Sequence, residues 1–110
     1  VCHQKYWGHE EKETDVAIAT KLFEVFYLDE CDSVVLVTGD TDLCPAIEAV
    51  TRHFPTKRVF CLFPYKRKNK DLTKLVTKAI KVKAKQYTQH QLPNPVVLAN
   101  GTEVYKPSTW

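Results

Sequence analysis

The chain has 110 residues, an apolar content of 44% and a net charge of +3. That length suits one small domain and is too short for two. No stretch approaches the ~20 apolar residues of a membrane span, and no signal-peptide pattern is visible. The three glycines, Gly8, Gly39 and Gly101, stand too far apart for a dinucleotide fingerprint, and neither G-x-x-x-x-G-K nor G-x-S-x-G occurs, which removes most nucleotide-dependent and serine-hydrolase functions.

The chain starts at Val1 rather than Met, which predicts a trimmed chain or a fragment. Residues 1–11 are polar and aromatic without a period and read as a flexible lead-in. Cys2, His3 and His9 have the residue types of half a zinc site but match no four-ligand spacing. Val16, Ala19, Leu22, Phe23 and Phe26 recur at helical spacing, so a helix is expected over roughly 15–28, capped by Thr14 or Asp15. Val34 to Val37 is apolar and mostly β-branched, the pattern of a strand buried on both faces of a parallel sheet. Thr38 and Gly39 end it. Leu43 to His53 reads as a second helix, capped by Thr41 or Asp42, with Pro45 tolerated in the first turn.

Arg58 to Phe63 is a second buried strand, stopped by Pro64. A basic loop from Tyr65 to Lys70 and a short helix near Asp71–Lys78 follow. Ile80 and Val82 alternate with Lys and suggest an edge strand. Residues 92–110 carry Pro93, Pro95 and Pro107 and read as a C-terminal tail with one hairpin at Asn100-Gly101. Helices and strands thus alternate, which predicts right-handed crossovers and one α/β domain on a parallel sheet. The order starts on a helix, so a strand is expected upstream. Cys44 and Cys61 sit in apolar surroundings and read as buried free thiols. Sheets of this kind are usually cytosolic and reduced, so a cytoplasmic location is expected.

The modest net charge hides an asymmetry. Glu10 to Glu48 holds eleven Asp and Glu against Lys12 and Lys21, whereas Lys57 to Lys85 holds eleven Lys and Arg against Asp71. An acidic half able to hold metal adjoins a basic half able to hold phosphates; solvated faces would read the same way. In an open parallel sheet, ligands sit outside the carboxyl ends of the strands. Asp40 and Asp42 follow such an end, and Asp15 starts a predicted helix, so all three point toward one rim. Helix capping accounts for one Asp per helix but not for two beside the second helix. A divalent cation would relieve their repulsion, and hard oxygen donors suit Mg²⁺ or Mn²⁺. Thr38 and Thr41 are placed to orient water or a phosphate oxygen, or simply to cap. Lys57, Lys66, Arg67, Lys68 and Lys70 flank the second strand's end, with Tyr65 and Phe63 adjacent, a composition suited to a nucleic-acid backbone.

Two motifs and the tail carry a resemblance. Glu11-Lys12-Glu13-Thr14-Asp15-Val16-Ala17-Ile18-Ala19 resembles the "EK-x-x-DV-x-x-A" helix start of the NYN family of PIN-like ribonuclease domains. Thr38-Gly39-Asp40-Thr41-Asp42-Leu43 is similar to its "SGDSD" motif. Phe54-Pro55-x-Lys57-x-Val59, Phe63-Pro64 and Gly101…Lys106-Pro107…Trp110 resemble a bacterial branch of it. The resemblance implies a Rossmann-like, three-layer α/β fold and metal-dependent endonucleolytic cleavage of RNA. It implies catalytic and metal-binding roles for Asp15, Asp40 and Asp42, with Thr38 beside them where the family often has Ser. Substrate contacts are expected at Lys12, Thr41, Lys66, Arg67 and Lys68. The family's first strand, which ends in a further acidic residue, has no counterpart, so the resemblance implies an N-terminally truncated domain. Some relatives carry a cysteine pair before the EK motif, of which Cys2 would be a remnant.

Two other functions fit parts of this pattern. A non-catalytic RNA-binding or regulatory module would keep the basic segment without cleavage. A phosphatase-like hydrolase would use Asp40 as nucleophile. A homodimer is a further expectation, because a missing strand leaves a free sheet edge.

Overall fold

A computed structural model describes residues 12–110. Helix α1 (Lys12–Tyr27) leads into strand β1 (Ser33–Val37), and a 3-10 turn (Thr41–Leu43) opens helix α2 (Cys44–His53). Strand β2 (Arg58–Phe63), helix α3 (Lys70–Leu75) and strand β3 (Lys78–Lys81) complete the alternation. Helix α4 (Ala84–Gln89) and a two-stranded hairpin, β4 (Val96–Val97) with β5 (Glu103–Val104), form the end of the chain. The sheet is parallel in the order β1-β2-β3, with Val34 opposite Val59, Leu36 opposite Cys61 and Cys61 opposite Ala79. This is the expected α/β fold, a parallel sheet flanked by helices.

Register explains where the core lies, because side chains alternate across a strand and opposite residues share a face. Leu36, Val59, Cys61 and Phe63 point to one face, where Leu22 and Phe26 of α1, Ile47 and Val50 of α2, and Leu72 of α3 bury against them in a single cluster. Leu43, in the 3-10 turn, closes this cluster at the sheet's carboxyl edge. Phe54 adds edge-to-face contacts with Phe23 and Phe26, with ring centroids 5.1 and 6.1 Å apart, the preferred geometry of aromatic pairs. Cys61 is buried and Cys44 half-buried, both as free thiols, as their apolar surroundings indicated.

Several expectations need correcting. The first strand is buried on one face and not on both: Val35 is 56% exposed and Val37 66%, and Ile80 of β3, on the same face, is 46% exposed. An apolar run marks a strand whose side chains are apolar on both faces, but the described helices gather on the Leu36 face. Helix α1 begins at Lys12, so Thr14 and Asp15 lie in its first turn rather than at its cap, where Glu13 and Asp15 suit the positive helix end. Val16 is accordingly exposed. Helix α2 takes no cap from Thr41 or Asp42; Asp40 caps the preceding 3-10 turn instead, and Pro45 sits in the first turn of α2 as anticipated. Helix α3 ends at Leu75, and β3 starts at Lys78. The hairpin around Asn100-Gly101 forms, with Gly101 at φ 84°. Helix α4 was not anticipated. No helix among the described residues is long and apolar enough to cross a membrane.

Lys57 is also not where it was expected. It precedes β2 and so lies at the amino end of the sheet, away from the Asp40 rim. There its nearly buried side chain bridges Asp29 and Asp32, 2.9 Å from the latter. The hydrogen bond from Lys57 holds the Asp32 carboxyl below its usual range, and the two carboxylates raise Lys57. A lowered carboxylate contributes stability that is complete above its unfolded value, about 3.9, and is lost as pH falls through the folded value. A raised lysine contributes below about 10.4 and loses that contribution at higher pH. Lys57→Met should therefore lower the thermal midpoint at neutral pH, and the difference from the unsubstituted protein should shrink at both extremes. Melting curves followed by circular dichroism across pH would read this, and a constant difference at every pH would contradict it.

Candidate metal centre

The carboxyl edge of the sheet is built by three short segments. Strand β1 ends at Val37 and releases Thr38-Gly39-Asp40. The Thr38 hydroxyl accepts a hydrogen bond from the Asp40 amide at 3.0 Å, and Asp40 Oδ1 accepts one from the Asp42 amide at 3.0 Å. These two local bonds turn the chain back on itself and hold Asp40 and Asp42 on the same rim. Asp40 has β-region dihedrals, as a capping residue does. Its carboxylate thus uses one oxygen for the turn and keeps the other for a ligand.

Asp15 arrives from the first turn of α1. One carboxylate oxygen from each of Asp15, Asp40 and Asp42 lies within 4.8 Å of the others. Asp15 is half-buried and the other two are exposed. Opposite oxygens around Mg²⁺ at about 2.1 Å stand about 4.2 Å apart, so the cluster has the span of one cation after small rotations. The donor set fits as well. Three carboxylates are the hard ligands that Mg²⁺ and Mn²⁺ take, unlike the two-imidazole, one-carboxylate set of non-haem iron oxygenases. Without a cation, three negative charges at this distance repel one another.

Two depressions flank the cluster. One, of about 420 Å³, is lined by Thr38, Gly39, Asp40, Thr41, Arg67 and Asn69. The other, of about 310 Å³, is lined by Asp15, Val16, Ala19 and Asp42. The sequence-derived site residues therefore separate. Asp15, Asp40, Asp42, Thr38, Thr41 and Arg67 meet at one rim. Lys66 instead places its ammonium 5.3 Å from the Tyr65 ring centroid, a cation–π contact. Lys68 is exposed and lines neither depression. Lys12 begins α1 but its side chain lies outside the described part, as do Cys2, His3 and His9.

Two residues escaped the sequence reading. Asn69 caps α3, accepting from the Asp71 and Leu72 amides at 2.8 and 3.2 Å, and lines the depression beside Asp40. Its signal was an Asn just before a helix start, a standard capping position. Gly39 lets two loops touch: a Cβ there would stand 2.5 Å from the Arg67 carbonyl oxygen and 2.8 Å from the Arg67 Cβ. That approach brings Arg67 beside Asp40. Gly39→Val should displace the Arg67 loop and destabilise the domain by about 1–3 kcal/mol. Urea denaturation would measure this, and unchanged stability would show that the loops do not touch.

Cys44 starts α2 near the acids. Burial pushes its thiol up, and Asp71, Glu48, Asp40 and Asp42 raise it further. A thiol raised in this way is a poor nucleophile. Cys61 donates to the Thr38 carbonyl at 3.4 Å and so ties β2 to the end of β1.

Comparison with known proteins agrees with this architecture. The family model described as NYN domain matches residues 1–83, about three-quarters of the chain. The chain is also 28% identical over 109 residues to "6-hydroxy-3-succinoylpyridine 3-monooxygenase HspA" of Pseudomonas putida (strain DSM 28022 / S16). That match covers 94% of this chain and 34% of the relative, so the chain spans about a third of that protein's length. No solved structure matches. The matched region contains α1, the Asp40 turn and the Arg67 loop, and the sheet has the parallel order that such a domain requires: the chain belongs to the NYN domain family, within the PIN-like superfamily.

Proposed function

We propose that this domain is a metal-dependent endoribonuclease that hydrolyses RNA phosphodiesters at the Asp15, Asp40 and Asp42 cluster. The observation that carries the reading is the convergence of three carboxylates with Arg67 on one rim of an NYN domain. In hydrolysis water adds to phosphorus, one P–O bond breaks, and the departing oxygen ends protonated. The three aspartates would hold Mg²⁺ or Mn²⁺, and such a cation supplies Lewis acidity toward phosphoryl oxygens and a more acidic water. Thr38 positions Asp40 through its amide, and Thr41 stands at the mouth of the same depression. Arg67, planar and permanently charged, matches a phosphate with paired N–H donors. Lys66 and Lys68 add positive potential on the same loop, and Lys12 would add to it from the start of α1.

RNA as substrate is supported by NYN membership and by the basic half of the chain. The activity named for the Pseudomonas putida relative belongs to a protein about three times longer. A non-catalytic RNA-binding module remains the second reading, because the basic segment serves either. The homodimer expected from the free edge gains no support from the structure of this single chain. Incubation of labelled single-stranded RNA with the protein separates the two readings. Internal cleavage with Mg²⁺ or Mn²⁺, abolished by chelator, is the expected result; salt-sensitive binding with intact RNA would favour the module. Fractionation of cells would test the cytoplasmic location.

A further inference from the structure

The loop between β2 and α3 carries Arg67 to the aspartate rim and is fastened along its length. At its start, the Tyr65 amide donates to the Tyr87 hydroxyl of α4 at 3.1 Å, and the two rings pack edge-on with centroids 6.4 Å apart. In its middle, the Arg67 amide donates to the Pro64 carbonyl at 2.9 Å. At its end, Asn69 caps α3, and the Asn69 carbonyl accepts from the Thr73 hydroxyl at 2.6 Å and the Thr73 amide at 3.2 Å. Arg67 and Asn69 therefore project from a backbone already held by hydrogen bonds, which lowers the ordering cost of binding.

The two ends of the Asn69 side-chain amide have different partners. Only its oxygen can accept from the Asp71 and Leu72 amides, so these bonds fix which end is which. The Nδ2 end is directed away from the helix start and has no acceptor among the described residues. Asn69 is half-buried, yet no buried side-chain nitrogen among these residues lacks a partner, so Nδ2 is open to solvent. Asn69 lines the depression that also holds Asp40, Thr41 and Arg67. An amide nitrogen offers hydrogens and accepts none, and the Arg67 guanidinium is likewise a donor only. Neither group is paired with a carboxylate among the described residues. Two unpaired donor groups beside Asp40 call for a ligand rich in acceptors, and the unbridged oxygens of a phosphodiester supply them.

We propose that the Asn69 side-chain amide donates a hydrogen bond to a phosphate oxygen of RNA held against Arg67, and so is a substrate-binding residue as well as a helix cap. The inference rests on the reading of this rim as an RNA-cleaving site, to which it adds one contact. Arg67 is the charged donor of the pair and Asn69 the neutral one, and that difference separates them experimentally.

The test measures binding of a labelled oligouridine to the intact chain by fluorescence anisotropy over a salt series, with chelator present so that the RNA stays whole. Asn69→Ser keeps an N-cap of similar rank and gives up the amide nitrogen. It should keep the urea midpoint, weaken binding about tenfold at every salt concentration, and leave the salt slope unchanged. Asn69→Asp should also keep the midpoint and bind more weakly still, because its carboxylate only accepts and repels phosphate. Arg67→Ala, in contrast, should flatten the slope by about 0.7, the share of one neutralised phosphate. Equal affinity of Asn69→Ser and the unsubstituted protein would overturn the proposal, as would the absence of any binding at low salt. A slope flattened in Asn69→Ser as in Arg67→Ala would overturn it too, because Asn69 would then act only by positioning Arg67. Oligouridine whose binding depends on Asn69 yet which is never cut in Mn²⁺ would sustain the contact and defeat the nuclease reading. Oligouridine that is cut in Mn²⁺ while Asn69→Ser binds it normally would do the reverse.

Discussion

Asp40→Asn should leave the fold intact and slow metal-dependent RNA cleavage by about three orders of magnitude, roughly 4 kcal/mol of transition-state stabilisation. This side chain has two jobs. Its Oδ1 accepts from the Asp42 amide, and an Asn oxygen can do the same, so the turn survives. What disappears is one of three negative charges that would hold the cation. Asp40→Ala would remove both, adding a capping loss of about 1 kcal/mol. Circular dichroism and urea denaturation should therefore rank Asn near the unsubstituted protein and Ala below it, while cleavage is lost in both. Near-normal cleavage by a pure Asp40→Asn preparation would remove Asp40 from the site.

The largest expected effect on stability comes from Phe63. Its side chain is 1% exposed and belongs to the core cluster that also holds Ile47 and Val50 of α2 and Leu72 of α3. Phe63→Ala should cost about 3–5 kcal/mol through lost burial and a residual cavity. Small domains are stable by only about 5–15 kcal/mol, so a large share of the protein would be lost from the folded state on warming. Val37→Ala is the matched control, on the opposite, exposed face, and should change stability by less than about 0.5 kcal/mol. Chemical denaturation of the two variants would test the assignment of the faces directly. Similar losses for both would mean that the Val37 face is covered in solution.

How much of this was legible in the sequence differs by element. Strand β2 was readable to the residue, because an unbroken apolar run ends at Pro64 and proline cannot continue a central strand. The Asn100-Gly101 turn was readable for a similar reason, since a turn needing φ > 0 favours Gly. The aspartate rim followed from topology alone: helix starts and strand ends share an edge in a parallel sheet. Helix α4 was not legible, because Ala84–Gln89 is short and polar and its docking depends on Tyr87 meeting Tyr65 far along the chain. The exposed face of β1 was equally hidden, since composition records which residues are apolar and not which face is covered. Lys57 reads like its basic neighbours until Asp29 and Asp32 are placed beside it. Gly39 needed the Arg67 loop to be in position before its small size had a meaning.

If Asp15, Asp40 and Asp42 form one divalent-cation site, calorimetric titration of Mn²⁺ into the protein will register it. Saturable binding of about one ion, lost in Asp40→Asn and weakened in Asp15→Asn, is the predicted result. No binding, or binding that both substitutions leave unchanged, would contradict it.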